Sequence, residues 1–391
     1  MKIAFVSRND VNNIESWSGT DYHTFQALRT AGEKKNANLY LIHKLYAKRN
    51  KVAVFFEKVI RRLMWKIFST PFINDFYRWN VKFLARQVKK ELTDDIDVIF
   101  SMTSWPITYL KSDKIKVFIS DGEIGDYIAL YSHFKNLSKR RVKAAIKMRE
   151  DAINNSHLVL LTSEWAANAT ISRYGSENQH KIKIVSFGAN IECSRTSSDI
   201  TKIIENKEKA ICYLLFVGVN WGMKGGNIAL ETAKILHERG VKVHLDIVGI
   251  KKCPVELPEY VKDHGFISKS TDEGKRKIND LYEKAHFFIL PTRFDCYGIV
   301  FCEASSFGVP SLATKIAGVP SVVIEGKNGK LFELSDKGEK YAEYIQTIFA
   351  DYENYKKLCY SSFEQYETRL NWKTSGEKIL NYIEELYVKG K

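Results

Sequence analysis

Short apolar segments alternate with longer helical stretches along nearly the whole of this 391-residue chain, and that alternation limits the fold more than any other feature. Extended runs are predicted at residues 3–7, 39–43, 98–102, 117–120, 158–162 and 182–186, then at 213–217, 244–248, 265–267, 287–290, 311–313 and 330–332. Runs without polar alternation, such as FFIL at 287–290, suit strands buried on both faces. Strands of that kind separated by helices build parallel sheets covered by helices on each side. The expected fold class is therefore α/β, with two doubly wound Rossmann-like domains facing a central cleft. The chain is long enough for each domain to bury its own core. The break is placed near SFGANIEC at 186–193, because polar SRTSSD follows it. Domains are expected over residues 1–190 and 191–371, with a C-terminal helix over 372–391.

The second half carries charges that packing alone does not require. Asp295 and Glu303, with seven residues between them, lie in LPTRFDCYGIVFCEASSFGVP, and Lys224 lies upstream in LLFVGVNWGMKGG. A strand over 286–290 leads into a loop, and the turn at Gly298 opens a helix carrying Glu303. The start of a helix presents backbone N–H groups and a positive dipole end, which suits a diphosphate. Lys224, leaving a second strand-to-helix junction, can neutralise the same phosphates as a point charge. Carboxylates beside such a site cannot bind more anion. They are suited to accept hydrogen bonds from hydroxyls, and this points to a nucleotide sugar.

Residues 216–331 resemble the donor-binding domain of the retaining, two-domain GT-B glycosyltransferases of family 4. Members read Glu, seven residues, Glu, then small-Gly-x-Pro, a glycine-rich loop and Asn-Gly. The matching parts here are Asp295, Glu303, SFGVP at 306–310, AGVP at 317–320, and Asn328-Gly329. Several pieces fall in the same order, which is far more specific than a lone glycine motif. In the first half, WSGT at 17–20, SDG at 120–122 and SEWAANA at 163–169 are similar to the family more loosely.

The resemblance implies roles. Glu303 would accept hydrogen bonds from the ribose, and Gly298, Ile299 and Val300 would offer N–H groups to the distal phosphate. Asp295 would hold hydroxyls of the transferred sugar. Strand ends at Gly249, Phe266 and Ile267 would read the base through backbone groups, with a UDP-sugar expected ahead of a GDP-sugar. Lys224 would stabilise the leaving diphosphate. Gly19 and Thr20 would form a loop toward the acceptor or the phosphates, and Asp121 would stand near them, with a helix N-cap as its alternative role. His23, on the helix after WSGT, is read as structural or as facing the cleft. The final helix would cross back onto the first domain. The implied reaction transfers a hexosyl group with retained configuration, without divalent metal or cofactor beyond the nucleotide sugar. Two departures stand out: Asp295 is one methylene shorter than the usual Glu, and Val219 stands five residues before Lys224, where Arg is usual. Lys224 would then act alone, or with backbone amides or Arg293.

The net charge is +14, and it is uneven. Between 44 and 90 thirteen Lys and Arg face only Glu57 and Asp75. Val52, Phe56, Val59, Ile60, Leu63 and Ile67 recur there at helical spacing, and Trp65, Phe68, Phe72, Phe76 and Trp79 add aromatics suited to an interface. A second basic cluster occupies 135–149. This surface reads as a core-packed helix with a solvated basic face, as a contact for an anionic membrane surface, or as a site for an acidic soluble acceptor. No nucleic-acid module is recognisable, so nucleic acid is not expected as a partner. Asp95 and Asp97 mimic a metal motif by chance, and no metal is expected. Six cysteines at no framework spacing read as reduced thiols, with Cys296 and Cys302 as packing. MKIAFVS shows no export signal, and no run is apolar enough to span a bilayer. A cytoplasmic enzyme, peripheral at the inner face of the membrane and acting on a glycan, lipopolysaccharide or lipid-linked acceptor, is expected. The alternatives are a binding or scaffold protein of the same fold with a decayed donor site, and a nucleotide-sugar hydrolase or epimerase.

Overall fold

A computed structural model describes residues 1–49, 51–131 and 134–389, without the side chains of 51–53 and 68. The expected places of Lys51, Val52 and Phe68 on the basic helix therefore lie outside the described residues. The chain divides into two compact units, Met1–Val185 with Ser375–Lys391, and Ser186–Thr374. The last helix begins at Trp372, and from Ser375 onward it is part of the first unit. Within that unit it packs closely on the helix Thr20–Lys34, where a Cβ on Gly376 would stand 2.5 Å from the Ala27 carbonyl oxygen. Buried Ile379, Leu380 and Ile383 supply its apolar face, and Lys34 meets Glu377 at 3.0 Å.

The first unit holds a parallel sheet of β1 (Lys2–Val6), β2 (Asn38–Ile42), β3 (Val98–Ser101), β4 (Ile115–Ser120), β5 (Leu158–Leu161) and β6 (Ile182–Ile184), in the order β2-β1-β3-β4-β5-β6. The second holds β7 (Cys212–Val217), β8 (Val243–Val248), β9 (Val261–Asp263), β10 (Phe287–Leu290), β11 (Ser311–Thr314) and β12 (Gly329–Phe332), in the order β12-β11-β10-β7-β8-β9. Both are doubly wound: the chain works outward from β1 and from β7, then returns to the other side of each. The reversal falls between β1 and β3 in one sheet and between β7 and β10 in the other. In open parallel sheets such a reversal leaves a crevice at the carboxyl ends of the two strands, where ligands bind. All four residues of β10 are buried, as their unbroken apolar run requires.

One strand departs from expectation. The segment 265–267 is not extended; the strand is Val261–Asp263, paired with Leu245–Ile247 of β8. Gly265 adopts φ +63, and its N–H donates to Asp263 Oδ1 at 2.9 Å, so the chain turns before Phe266. The apolar Phe-Ile pair imitates a strand, but Phe266 is 64% exposed and has no neighbour to pack against across a sheet.

The second unit carries a buried titrating group. His286 Nδ1 accepts the Tyr213 backbone N–H at 3.0 Å, so the ring is neutral and protonation would remove that acceptor. Burial, and then the Lys207 cation, depress its pKa to about 3. The unfolded chain takes up this proton near the ordinary value of about 6.5. Between those two values the unfolded state binds more protons, so stability falls as the pH drops from about 6.5 toward 3, by up to about 1.4 kcal/mol per pH unit from this group. Urea unfolding of His286→Gln, which keeps an acceptor but cannot titrate, is expected to show a shallower loss of stability between pH 6.5 and 4.5 than the parent.

Candidate active site

The loops leaving β7 and β10, the pair at the reversal, bring two of the expected residues together. Lys224 Nζ stands 2.5 Å from Asp295 Oδ2, and both side chains are only partly exposed. The loop after β7 is tied by Asn220, whose carbonyl accepts the Lys224 N–H at 2.9 Å and whose Oδ1 accepts the Met223 N–H at 2.9 Å. The two loops are then stitched to each other. Arg293 N–H donates to Met223 O at 2.7 Å, and Thr292 Oγ1 donates to the same carbonyl at 3.1 Å. Gly318 of AGVP donates its N–H to Asp295 O at 3.2 Å. The backbone that carries the carboxylate and the ammonium is thus tied within its loop, to the neighbouring loop and to the AGVP turn.

Gly225 is what lets the loops approach. It holds φ +76, and a Cβ there would lie 2.0 Å from the Pro291 carbonyl oxygen. Gly225→Ala combines a left-handed alanine, about 1–2 kcal/mol, with overlap of about 1–3 kcal/mol. The expected result is a urea midpoint lowered by a few kcal/mol of stability, with Lys224 pushed off Asp295.

Glu303 sits on the helix Ile299–Ser305 and is 1% exposed. Its Oε1 lies 2.5 Å from Lys269 Nζ, and its Oε2 accepts the Tyr282 hydroxyl at 3.1 Å. Burial and this carboxylate hold the Tyr282 phenol well above its ordinary pKa, so it remains a donor. A buried carboxylate is tolerated because both its oxygens are engaged. Neither Lys269 nor Tyr282 was singled out from the sequence. Lys269 had a usable signal, since it lies two residues beyond Ile267. Tyr282 follows Ile278 on the inner face of the helix Asp272–Lys284 and reads as core, which it also is.

Gly298 has φ +86 and is the N-cap of the Glu303 helix, and Ile299 and Val300 form its half-buried first turn. The N–H groups of a first turn have no acceptor within their own helix. Gly249, at the end of β8, has φ +96 and faces Gly218, whose carbonyl oxygen would be 2.7 Å from any Cβ added there. Its N–H donates to Gly265 O at 2.7 Å, so the ends of β7 and β8 and the turn before Phe266 lie together. Phe266 and half-buried Ile267 thus sit on a loop and not on the expected strand end. Arg293 directs one guanidinium nitrogen, Nη1, to Leu334 O at 2.8 Å. Val219 is 75% exposed, so nothing cationic occupies the place of the usual Arg. Asn328 is wholly buried and structural, accepting Ile324 N–H at 2.7 Å and donating to Val322 O at 3.0 Å. Cys296 and Cys302 are buried, and burial pushes the Cys302 thiol up to about 12.

In the first unit Gly19, with φ +88, leads into buried Thr20 at the start of the helix Thr20–Lys34. Next to them is a carboxylate that sequence reasoning passed over. Asp21 is 1% exposed, accepts Asn9 Nδ2 at 2.7 Å, and has its pKa raised by burial. Its signal was its place directly after WSGT. His23 is also buried. Asp121, just past β4, is half-buried and accepts the Tyr127 hydroxyl. The N-cap role considered for it belongs to Glu123, which accepts Gly125 N–H at 2.6 Å and also binds Tyr174 OH at 2.5 Å and Arg173 Nε at 2.7 Å. Asp95 and Asp97 are both taken by Lys2, at 2.6 Å from its ammonium and 2.7 Å from its backbone N–H.

The basic helix Lys51–Phe68 overturns the reading of a core-packed element. Phe56, Ile60, Leu63 and Ile67 are 42–64% exposed, and Val59 and Trp65 are exposed with them. Phe72 and Phe76, expected at an interface, are instead buried, with Phe76 stacked on Phe134 at 5.5 Å. No helix among the described residues is long and apolar enough to cross a membrane.

These features have parallels in known proteins. Residues 212–351, which carry Lys224, Asp295, Glu303 and the glycine turns, match the family described as "Glycosyl transferases group 1". That segment is similar to group 1 glycosyl transferases. The chain is 22% identical over 275 residues to a D-inositol 3-phosphate glycosyltransferase of Corynebacterium urealyticum, an alignment covering 66% of this chain and 64% of that relative. Among solved structures, a sucrose-phosphate synthase of Thermosynechococcus elongatus superposes with a TM-score of 0.72 at 15% identity over 100% of both chains. An Anabaena HepE solved with UDP-glucose gives 0.61 at 15% identity, over 98% of this chain and 100% of that one. The fold is GT-B, and the matched segment lies within the second unit.

Proposed function

We propose that the protein is a retaining hexosyltransferase that moves a sugar from a nucleotide diphosphate sugar, UDP ahead of GDP, to a glycan, lipopolysaccharide or glycolipid acceptor at the cytoplasmic face of an anionic membrane. The observation that carries this reading is the meeting of Lys224 with Asp295 at the reversal of the group 1 sheet. A carboxylate that would hold sugar hydroxyls and a cation that would face a diphosphate are there in one place. The neighbour solved with UDP-glucose supports a uridine donor.

Breaking the sugar–phosphate bond builds positive charge at the anomeric carbon and negative charge on the departing diphosphate. Lys224 and the N–H groups of Gly298, Ile299 and Val300 stabilise the second as it develops. Asp295 orients the sugar through its hydroxyls, and Glu303 takes the ribose hydroxyls. The acceptor attacks the face the phosphate leaves, with a phosphate oxygen taking its proton. The cation and backbone dipoles supply what a divalent metal would otherwise supply, so turnover is expected to persist in chelator. The exposed apolar stripe of the helix Lys51–Phe68, flanked by Lys58, Arg62 and Lys66, supports a membrane-borne acceptor.

Calorimetry with UDP and GDP, followed by a donor panel read by mass spectrometry, tests this reading. Exposed Val219 favours one competitor, a non-catalytic binding protein with a decayed donor site. Failure to bind either nucleotide would decide for it.

A further inference from the structure

The first unit contains a pocket of about 930 Å³ under the second half of the helix Lys51–Phe68, closed on its other side by residues 71–75 and by Lys135 and Asn136. Its apolar surface comes from Trp65, Pro71, Phe72 and Ile73, and its cations include Arg61, Arg62 and Lys135. Among the described residues those three cations have no acidic partner within ion-pair distance. The acidic groups nearby are already committed. Asp75 is taken by Arg8 and the Tyr46 hydroxyl, and Glu57 by Arg49 and by Asn74 Nδ2 at 2.9 Å. Arg49, also on the pocket wall, has its pKa lowered by burial and further by the neighbouring Arg61. Arg61, Arg62 and Lys135 thus leave positive charge here beyond what Asp75 and Glu57 balance.

The walls are held in place. Asn74 ties the 71–75 segment to the helix through Glu57, and Asn136 Nδ2 ties its start through Ser69 O at 3.1 Å. The Phe72 ring packs on Tyr77 with centroids 4.5 Å apart, and Arg141 lies 3.5 Å over that second ring. A small inorganic anion has no use for the Trp65, Pro71, Phe72 and Ile73 surface. A neutral apolar ligand would leave the three cations without a counter-charge. The combination suits an amphiphile with an anionic head.

We propose that this pocket binds the headgroup and glycerol backbone of an anionic glycerophospholipid drawn from the bilayer on which the helix Lys51–Phe68 rests. This rests on the membrane reading above and deepens it. The exposed stripe Phe56, Ile60, Leu63 and Ile67 supplies general insertion, while the pocket supplies a saturable, single-lipid contact.

The probe is dihexanoyl phosphatidylglycerol, titrated below its micelle concentration into the full chain by calorimetry, beside cosedimentation with phosphatidylglycerol–phosphatidylcholine vesicles. Saturable one-to-one binding is expected. It should weaken at least tenfold in Arg61→Gln/Lys135→Gln and stay within twofold in Lys58→Gln/Lys66→Gln, which removes equal charge from residues that do not line the pocket. If the first double variant melts early by circular dichroism, Lys135→Gln alone, an exposed position, carries the test. Absence of lipid binding with vesicle recruitment intact overturns the pocket and leaves the membrane reading standing. Loss of both overturns both. Inorganic phosphate binding as tightly as the lipid overturns the lipid assignment, as would equal losses in the two double variants.

Discussion

Lys224→Met is expected to lower kcat by about 10²–10³-fold, about 2.7–4 kcal/mol, while KM for the donor changes little. The argument is differential binding: the leaving diphosphate gains negative charge only as the bond breaks, so a cation aimed at it acts mainly in the transition state. The effect is expected at the upper end of that range because the usual second cation is missing and only backbone N–H groups share the work. Exposed Val219 stands where the usual second cation would be. Since Lys224 and Asp295 are in direct contact, their effects should not add. Lys224→Met/Asp295→Asn is therefore expected to turn over no slower than about tenfold below the worse single variant. Single-turnover measurements with saturating donor separate this from an effect on product release. A Lys224→Met enzyme with parental kcat would remove the lysine from the chemistry.

How far the fold could be read from sequence depended on the kind of signal. Buried parallel strands write themselves as short apolar runs, so β10 is visible in FFIL and β5 in LVLL. The strand β9 was missed because Val261–Asp263 is short and half polar, while the apolar pair beyond it belongs to a turn. For the site, Lys224, Asp295, Glu303 and the Gly298 turn could be found because spacing along the chain fixes them on two loops and one helix. Lys269 and Tyr282 reach Glu303 from 34 and 21 residues away, so no spacing around Glu303 itself points to them, and only the place of Lys269 just beyond Ile267 hinted at the first. The helix Lys51–Phe68 was ambiguous for a different reason. An amphipathic period says that one face is apolar, and only tertiary structure says whether that face turns inward.

Glu303 offers the second large effect and a way to separate binding from folding. Glu303→Ala removes the acceptor of a buried Tyr282 hydroxyl and the partner of Lys269. Each group left unsatisfied costs about 1–3 kcal/mol, so this variant should lose stability as well as nucleotide. Glu303→Gln keeps an oxygen for the tyrosine and the shape of the side chain, but loses the charge that strengthens hydrogen bonds from ribose hydroxyls. Hydrogen bonds to a charged acceptor contribute about 1.5–3 kcal/mol each, so UDP affinity in Glu303→Gln is expected to fall by about 10–100-fold. Stability in urea should meanwhile fall less than in Glu303→Ala, because Tyr282 keeps its acceptor and only Lys269 loses its partner. Lys269→Met supplies the counter-test. Lys269 contacts the carboxylate and has no ribose contact in this reading, so its removal is not expected to reproduce the affinity loss, even though it strips Glu303 of an ion pair. Equal loss of UDP binding in Lys269→Met and Glu303→Gln would mean that the pair acts only as a strut, and parental UDP affinity in Glu303→Gln would take the ribose contact away from it altogether.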